Sequence, residues 1–284
     1  MAYEVHPLTE GFGAEVIGLN LAAEMTPEEF AEVRDLYFGK SVVVFRGQEL
    51  APDAQAAFSR RFGGLMIHVL TQFQIPGHPE GLELSNRLDA DGNAIGFEDA
   101  GRYWHSDISY NTEPALGTML YAVDIPPEGG DTFFADMAAA YDALPEDVKQ
   151  KIEGRGAYHS YTINYKSNES DAATRPDLTE EQLASLEDVL HPIVRTHEDT
   201  GRKALFVNPG FTYRVDGMDK GESDALLQML FAHTQEERFL YRHVWRPHDL
   251  LCWDNRSTMH HATVYDAQYT RHMHRTTIQG PRPV

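Results

Sequence analysis

Tyr103-Trp104-His105-Ser106-Asp107-Ile108-Ser109-Tyr110 is the stretch around which the rest of the chain can be arranged. It contains a His-x-Asp pair. On an extended segment, side chains two apart leave the same face, so this imidazole and carboxylate would converge as half of a divalent-metal site. A third ligand would complete a facial triad of two His and one carboxylate, which leaves positions open for substrates and dioxygen. The pair alone is a weak signal, because 14 His in 284 residues place some beside an acid by chance. His260 is the best third candidate. It follows Trp253-Asp254-Asn255-Arg256-Ser257-Thr258-Met259, a polar turn after an apolar strand, where a functional side chain is displayed. His261 beside it would face the opposite way on an extended segment.

Working outward from 103–110, residues 87–102 carry Asp89, Asp91, Gly92, Asn93 and Gly96 and read as a loop placed to act as a lid. One or two strands are expected before about Asn20. Thr26-Pro27-Glu28-Glu29 is a capping box with Pro at the first helical position, starting a helix to about Phe38. Ser41–Phe45 is a β-branched strand, and Pro52–Phe62 a helix. Strands are expected at Thr118–Ile125, Thr132–Phe134, Ala157–Tyr165, Phe239–Trp245, Leu250–Trp253 and His272–Gln279, and helices at Pro145–Ile152, Thr179–Leu186 and Gly221–His233. Glu198-Asp199-Thr200-Gly201-Arg202 joins a hairpin, and 166–178 read as an exposed, mobile polar loop. Many short strands with interposed helices and no repeat or linker predict one mainly β domain over 1–284, a β-sandwich or jelly roll with helical insertions.

Composition narrows the function. With 24 Lys plus Arg against 44 Asp plus Glu, the net charge of −20 argues against nucleic acid or an anionic membrane as partner. A single cysteine, Cys252, excludes an intrachain disulfide framework and fits a reducing compartment. The opening residues lack the pattern of a signal peptide and no apolar run approaches a membrane span, so a cytoplasmic location is expected. Against that acidic background Arg271 and Arg275 stand out. Four apart, they would share a strand face looking toward His260. Two guanidinium groups in an interior are costly unless each meets an anion, which leaves two readings: a pair of internal salt bridges, or two small anions beside the metal, each held by a planar fork.

At this point a family resemblance emerges. It rests on Ser41-Val42-Val43-Val44-Phe45-Arg46-Gly47-Gln48, Arg61-Phe62-Gly63, Trp104-His105-Ser106-Asp107, Gly129-Gly130-Asp131-Thr132, Ala139–Leu144, Val194-Arg195-Thr196-His197, Trp253–Arg256 and Met273-His274-Arg275. In this order and spacing, nearly end to end, the chain resembles the TauD/TfdA family of Fe(II)- and 2-oxoglutarate-dependent dioxygenases. The resemblance implies a double-stranded β-helix, a cupin-like jelly roll with helices outside. It implies His105, Asp107 and His260 as iron ligands, Thr132 and Arg271 on the distal carboxylate of 2-oxoglutarate, and Arg275 with His68 on an acidic primary substrate. It further implies dioxygen as co-substrate, succinate and carbon dioxide as co-products, ascorbate as a useful reductant in vitro, and a homo-oligomer, dimer or tetramer. Because Asp107 is present, hydroxylation rather than halogenation is implied.

The substrate is less determined. Taurine-specific members carry an Asn where Gly101 stands, and a Tyr where Thr71 stands. Asp136–Leu144 and Tyr241–Trp245 look closer to the phenoxyacetate enzymes. Phe73, Tyr110, Tyr161, Tyr165 and Phe206 are candidates for a ring-sized pocket, or else core aromatics. An aryloxyalkanoate or other carboxylate is favoured over a sulfonate or alkyl sulfate. From outside the oxygenases, the same triad in a metallohydrolase or a ligand-binding jelly roll is the competing expectation.

Overall fold

The computed structural model describes residues 3–97, 101–163, 179–180 and 187–284. The main element is an eight-stranded sheet in the order β1-β2-β3-β14-β6-β16-β5-β4. Its strands are β1 (Glu4–Pro7), β2 (Ala14–Ile17), β3 (Val42–Phe45), β4 (Gln74–Ile75), β5 (His78–Ser85), β6 (Ala115–Asp124), β14 (Leu250–Asp254) and β16 (His272–Gln279). A three-stranded sheet, β13-β7-β15, comprises β7 (Thr132–Asp136), β13 (Leu240–His243) and β15 (Thr258–Ala262). Another joins β8 (Gly156–His159), β9 (Val189–Pro192) and β12 (Thr212–Val215), while β10 (Val194–Thr196) and β11 (Lys203–Leu205) form the expected hairpin. The protein is mainly β with helices.

The alternation of side chains assigns each face of the large sheet a role. All four residues of β3 are buried. Val42 and Val44 pack with Phe134, Trp245 and Trp253 between the large sheet and β13-β7-β15, whereas Val43 and Phe45 pack with Tyr37 and Phe58 on the other face. A strand covered on both faces has no polar alternation, which is why Ser41–Phe45 reads as one apolar run. The cover on that second face comes from α1 (Pro27–Lys40) and α2 (Pro52–Arg60). The capping box forms: the Glu29 N–H donates to Thr26 Oγ1 at 3.2 Å, and the Thr26 N–H to Glu29 Oε2 at 2.8 Å. A third core lies under α3 (Met137–Asp142), α4 (Glu146–Ile152) and α5 (Lys220–Thr234), built on Ile152, Leu205, Leu226, Leu230 and Met259.

Several expectations change. Residues 103–110 are not a strand: a single bridge at His105 gives way to a turn, with Ile108 at φ +56°. The strand expected at Ala157–Tyr165 ends at His159. The expected loop 166–178 and most of the helix at Thr179–Leu186 lie outside the described residues, as do 98–100 of the expected lid. Of the described lid residues, 87–97 fold on themselves through Asp89 Oδ1, which accepts the N–H groups of Asp91 and Asn93. Strands β5, β12 and β15 and helix α3 have no counterpart in the sequence reading. Among the described residues no helix is long and apolar enough to cross a membrane, and Cys252 is a buried free thiol.

The turn between β14 and β15 is clamped by buried charge. Asp254 accepts from Arg256 Nε and Nη2 and from His197 Nε2, at 2.9, 2.6 and 2.9 Å. Arg256 also reaches Asp199 at 2.6 Å. Burial pushes the Asp254 carboxyl up, but Arg256 and His197 outweigh it and hold it far below the usual range. Removing one partner of such a pair leaves an uncompensated interior charge, so Arg256→Met should cost about 3–5 kcal/mol in denaturant unfolding. Because the folded-state pKa is depressed, the stabilisation is present above about pH 4 and is lost as the pH falls toward the folded value. The variant should therefore lose stability at neutral pH and show a weaker dependence on acid; an unchanged unfolding midpoint would contradict this role.

Candidate metal centre

His105 and His260 are brought together by backbone pairing. The His105 N–H donates to the His260 carbonyl at 2.9 Å and the His260 N–H to the His105 carbonyl at 2.8 Å, placing the rings side by side with centroids 4.2 Å apart. Because β15 runs opposite Phe134 and Phe133 of β7, His260 points between the sheets, stacked on Phe134 and tilted against Trp253. His261 turns away and packs on Trp104 and Phe133, as alternation requires. The turn after His105 then swings Asp107 back toward both imidazoles. Its start is fixed by Ser106 Oγ, which donates to the Thr258 carbonyl at 2.8 Å.

The three side chains form a buried group whose ligand atoms all lie within 4.8 Å of one another. Nε2 of His105 is 3.7 Å from Asp107 Oδ1, and Nε2 of His260 is 3.9 Å from Oδ2. These separations are too long for hydrogen bonds. The Tyr103 carbonyl accepts from His105 Nδ1 at 2.8 Å, so this nitrogen carries the proton and Nε2 keeps its lone pair free. Two imidazole nitrogens and one carboxylate oxygen suit a divalent transition ion. Burial, then the neighbouring His105, hold His260 well below its ordinary value and keep it neutral, as a ligand must be.

Asp107 is the most heavily held of the three. Its Oδ2 accepts Thr118 Oγ1 at 2.7 Å and Trp253 Nε1 at 3.1 Å, while its Oδ1 accepts Arg275 Nη2 at 2.8 Å. Asn255 takes the Asp107 N–H on Oδ1 and donates from Nδ2 to Thr118 Oγ1, both at 3.1 Å. Burial raises the Asp107 carboxyl, yet Arg275, His260 and His105 together hold it well below the usual range. It is a carboxylate at any working pH. Oδ2 accepts two donors and Oδ1 one, so Oδ1 keeps the acceptor capacity that a metal could use.

That cavity encloses about 800 Å³ including its mouth, and is lined by residues of both sheets. The residues read from the sequence as metal, co-substrate and substrate-anion candidates all line it: His68, His105, Asp107, Thr132, His260, Arg271 and Arg275. The two arginines part company. Arg275 has an internal ion pair with Asp107 and donates from Nε to Thr277 at 3.2 Å. Arg271 is buried, and none of the ion pairs among the described residues uses its guanidinium. Burial brings it down to about 10, so it remains charged. His68 Nδ1 accepts the Leu70 N–H at 3.1 Å, which leaves the proton on Nε2. Burial, then the Arg275 charge, lower the imidazole to about 3, so it is a neutral donor.

The aromatic wall differs from the sequence expectation. Tyr110 and Tyr161 line the cavity, but so do Phe97, Tyr103, Phe211 and Trp253, which were not singled out. Phe73 stands behind Phe97, stacked on it at 6.2 Å. Phe206 packs on His159 and His191, away from the cavity, and Tyr165 lies outside the described residues. Gly101 has φ +77°, and a Cβ there would come within 2.9 Å of His105 Cε1. An Asn at this position would strike the imidazole.

Comparison with known proteins follows the same lines. The family model described as "Taurine catabolism dioxygenase TauD, TfdA family" matches residues 4–277. The chain is 38% identical to an alpha-ketoglutarate-dependent 2,4-dichlorophenoxyacetate dioxygenase of Cupriavidus pinatubonensis, over 98% of this chain and 96% of that one. It is 31% identical to an alpha-ketoglutarate-dependent sulfonate dioxygenase of Saccharomyces cerevisiae, over 99% of this chain and 68% of the relative. A solved structure of AAD-2 with Mn(II) and N-oxalylglycine superposes with a TM-score of 0.83 at 33% identity, covering 100% of this chain and 99% of that one.

If Thr118 fixes which Asp107 oxygen faces the cavity, Thr118→Val should weaken Co(II) or Mn(II) binding about 10- to 100-fold, the usual effect of losing a partner behind a metal ligand. Direct metal titration of the folded variant checks this; an unchanged affinity would show that Trp253 alone suffices.

Proposed function

The chain belongs to the TauD, TfdA family, and we propose that His105, Asp107 and His260 hold the iron of its reaction. The protein is an Fe(II)- and 2-oxoglutarate-dependent dioxygenase acting on a small organic substrate. In the proposed arrangement Thr132 and Arg271 take the distal carboxylate of 2-oxoglutarate, and Arg275 with His68 takes the anionic group of the primary substrate. One observation carries this division of labour: Arg271 is a buried guanidinium with no ion pair among the described residues, on the same cavity as the triad. An interior cation in that condition calls for an anion supplied from outside.

Iron with 2-oxoglutarate and dioxygen supplies the oxidation that releases succinate and carbon dioxide and hydroxylates a C–H bond of the substrate. The chain's own residues do the rest. Arg275 has further N–H groups beyond those directed at Asp107 and Thr277, so it can keep Asp107 in place while it binds a substrate carboxylate. His68 adds a neutral donor to the same anion. Phe97, Tyr103, Tyr110, Tyr161 and Phe211 offer a wall for an aryl ring and exclude water from the target carbon. An aryloxyalkanoate satisfies both ends. Hydroxylation beside its ether oxygen gives a hemiacetal that collapses to a phenol and a carbonyl acid. The sheets themselves support a jelly roll of the double-stranded β-helix kind, and a single domain over 1–284, because both faces of the cavity draw on strands from across the whole chain.

Succinate release should be measured with Fe(II), 2-oxoglutarate and ascorbate over aryloxyacetates, alkylsulfonates, alkyl sulfates and plain carboxylates. Aryloxyacetates should stimulate most, with one phenol per succinate. Stimulation by sulfonates alone would replace the substrate reading and leave the iron site standing. Arg271→Ala should raise the 2-oxoglutarate requirement by about tenfold or more, as loss of a charged hydrogen bond does, and Arg275→Gln should act on the primary substrate instead. If both variants moved the same ligand, the assignment of one anion to each arginine would be wrong.

A further inference from the structure

Thr132 has a partner that no sequence spacing suggests. Trp245, 113 positions away, aims its indole Nε1–H at the Thr132 hydroxyl oxygen over 3.2 Å, and both residues are buried. An indole N–H can only donate, whereas a hydroxyl has one proton and two acceptor lone pairs. Accepting from Trp245 therefore turns the single Thr132 proton away from the indole. Thr132 and Arg271 line the same cavity, so the proton is left to meet an oxygen that Arg271 holds there. Without the indole, the hydroxyl could turn its proton onto a backbone carbonyl, the usual competitor for a Thr side chain.

Trp245 is itself braced. The His243 imidazole meets its ring edge-on, with centroids 4.6 Å apart at 90°. His243 sits directly opposite Thr132 in the pairing of β13 with β7. The imidazole is held by the Tyr241 hydroxyl at 3.0 Å on Nδ1 and lies 3.4 Å from Asp249 on Nε2, and Asp249 in turn pairs with Arg46 at 2.5 Å. The Tyr241 hydrogen bond and the edge-on ring contact pack His243 against the indole on one side.

We propose that Trp245 is a positioning residue for 2-oxoglutarate: its indole N–H orients the Thr132 hydroxyl so that the hydroxyl donates to the distal carboxylate. The inference rests on the reading that Thr132 and Arg271 hold that carboxylate, and the test separates the two. Binding of 2-oxoglutarate to the anaerobic Fe(II) protein is followed by calorimetry and by the visible charge-transfer band, for wild type, Trp245→Phe, Thr132→Val and the double variant. Thr132→Val should weaken binding about tenfold, and Trp245→Phe several-fold, in keeping with a hydrogen bond to a charged group. The double variant should be no weaker than Thr132→Val alone, because the indole acts only through the hydroxyl. Binding of 2-oxopentanoate, which has the same chain length but no distal carboxylate, should be equal in wild type and Trp245→Phe.

Since Phe is smaller than Trp, a second replacement of Trp245 by benzothienylalanine keeps the shape and removes only the N–H; it should reproduce the loss. Additive losses in the double variant, full binding with benzothienylalanine, or an equal loss for 2-oxopentanoate would each reduce Trp245 to packing and overturn the proposal. Unchanged binding in Thr132→Val would instead overturn the assignment of Thr132, and the proposal with it.

Discussion

The buried Asp107 carboxylate is the interaction on which the site depends. Thr118 on β6, Trp253 on β14 and Arg275 on β16 all donate to it, so three adjacent strands of the large sheet converge on one side chain. From the other direction, the bridge between His105 and His260 connects the same turn to the small sheet. A carboxylate in an apolar interior is tolerable only when its charge is met and its lone pairs are filled. Here both conditions are met by groups that also define the cavity, so the cost of burying Asp107 is offset by Thr118, Trp253 and Arg275.

Much of this could be read in the sequence, and the parts that could not share a cause. The capping box at Thr26, the apolar run of β3 and the hairpin at 198–202 are local patterns, and each formed where its residues indicated. His105, Asp107 and His260 were identifiable because metal donors are few in kind. The route by which the first two converge was not: same-face alternation on a strand was expected, and a bridge followed by a turn at Ile108 does it instead. Strand β5 was missed because His78-Pro79-Glu80-Gly81 opens it with strand-breaking residues, although its position between β4 and β16 compensates. Asn255 and Trp245 lie within family-like segments and Thr118 opens an expected strand, but nothing local gave any of the three a role at the site. Their importance comes from partners 11, 148 and 113 positions away, and only folding brings those together.

The same limit explains the aromatic residues. Tyr110 and Tyr161 face the cavity while Phe206 packs on His159 and His191 behind it; composition marks all three alike, and only the direction of each side chain separates them. The arginines show the converse. Their spacing raised two alternatives, internal salt bridges or waiting anion sites, and the structure contains one of each kind: Arg275 bridged to Asp107, Arg271 without an ion pair among the described residues. One interior cation paired with Asp107 and another without an ion pair among the described residues make a local positive field inside a protein whose net charge is −20.

The position of β16 has a consequence for how the protein is made. This strand, residues 272–279, lies between β6 and β5 in the middle of the large sheet and pairs with both. During synthesis β5 ends 187 and β6 148 residues before their common neighbour begins, and until then each has an unpaired edge open to other chains. The carboxylate of Asp107 likewise waits for Arg275, and His105 for His260. A nascent chain therefore lacks the assembled cluster of His105, Asp107 and His260 until the last strands of the sheet are made. Such a high-separation topology folds slowly, and its yield should depend on how well chaperones shield β5 and β6 in the interval.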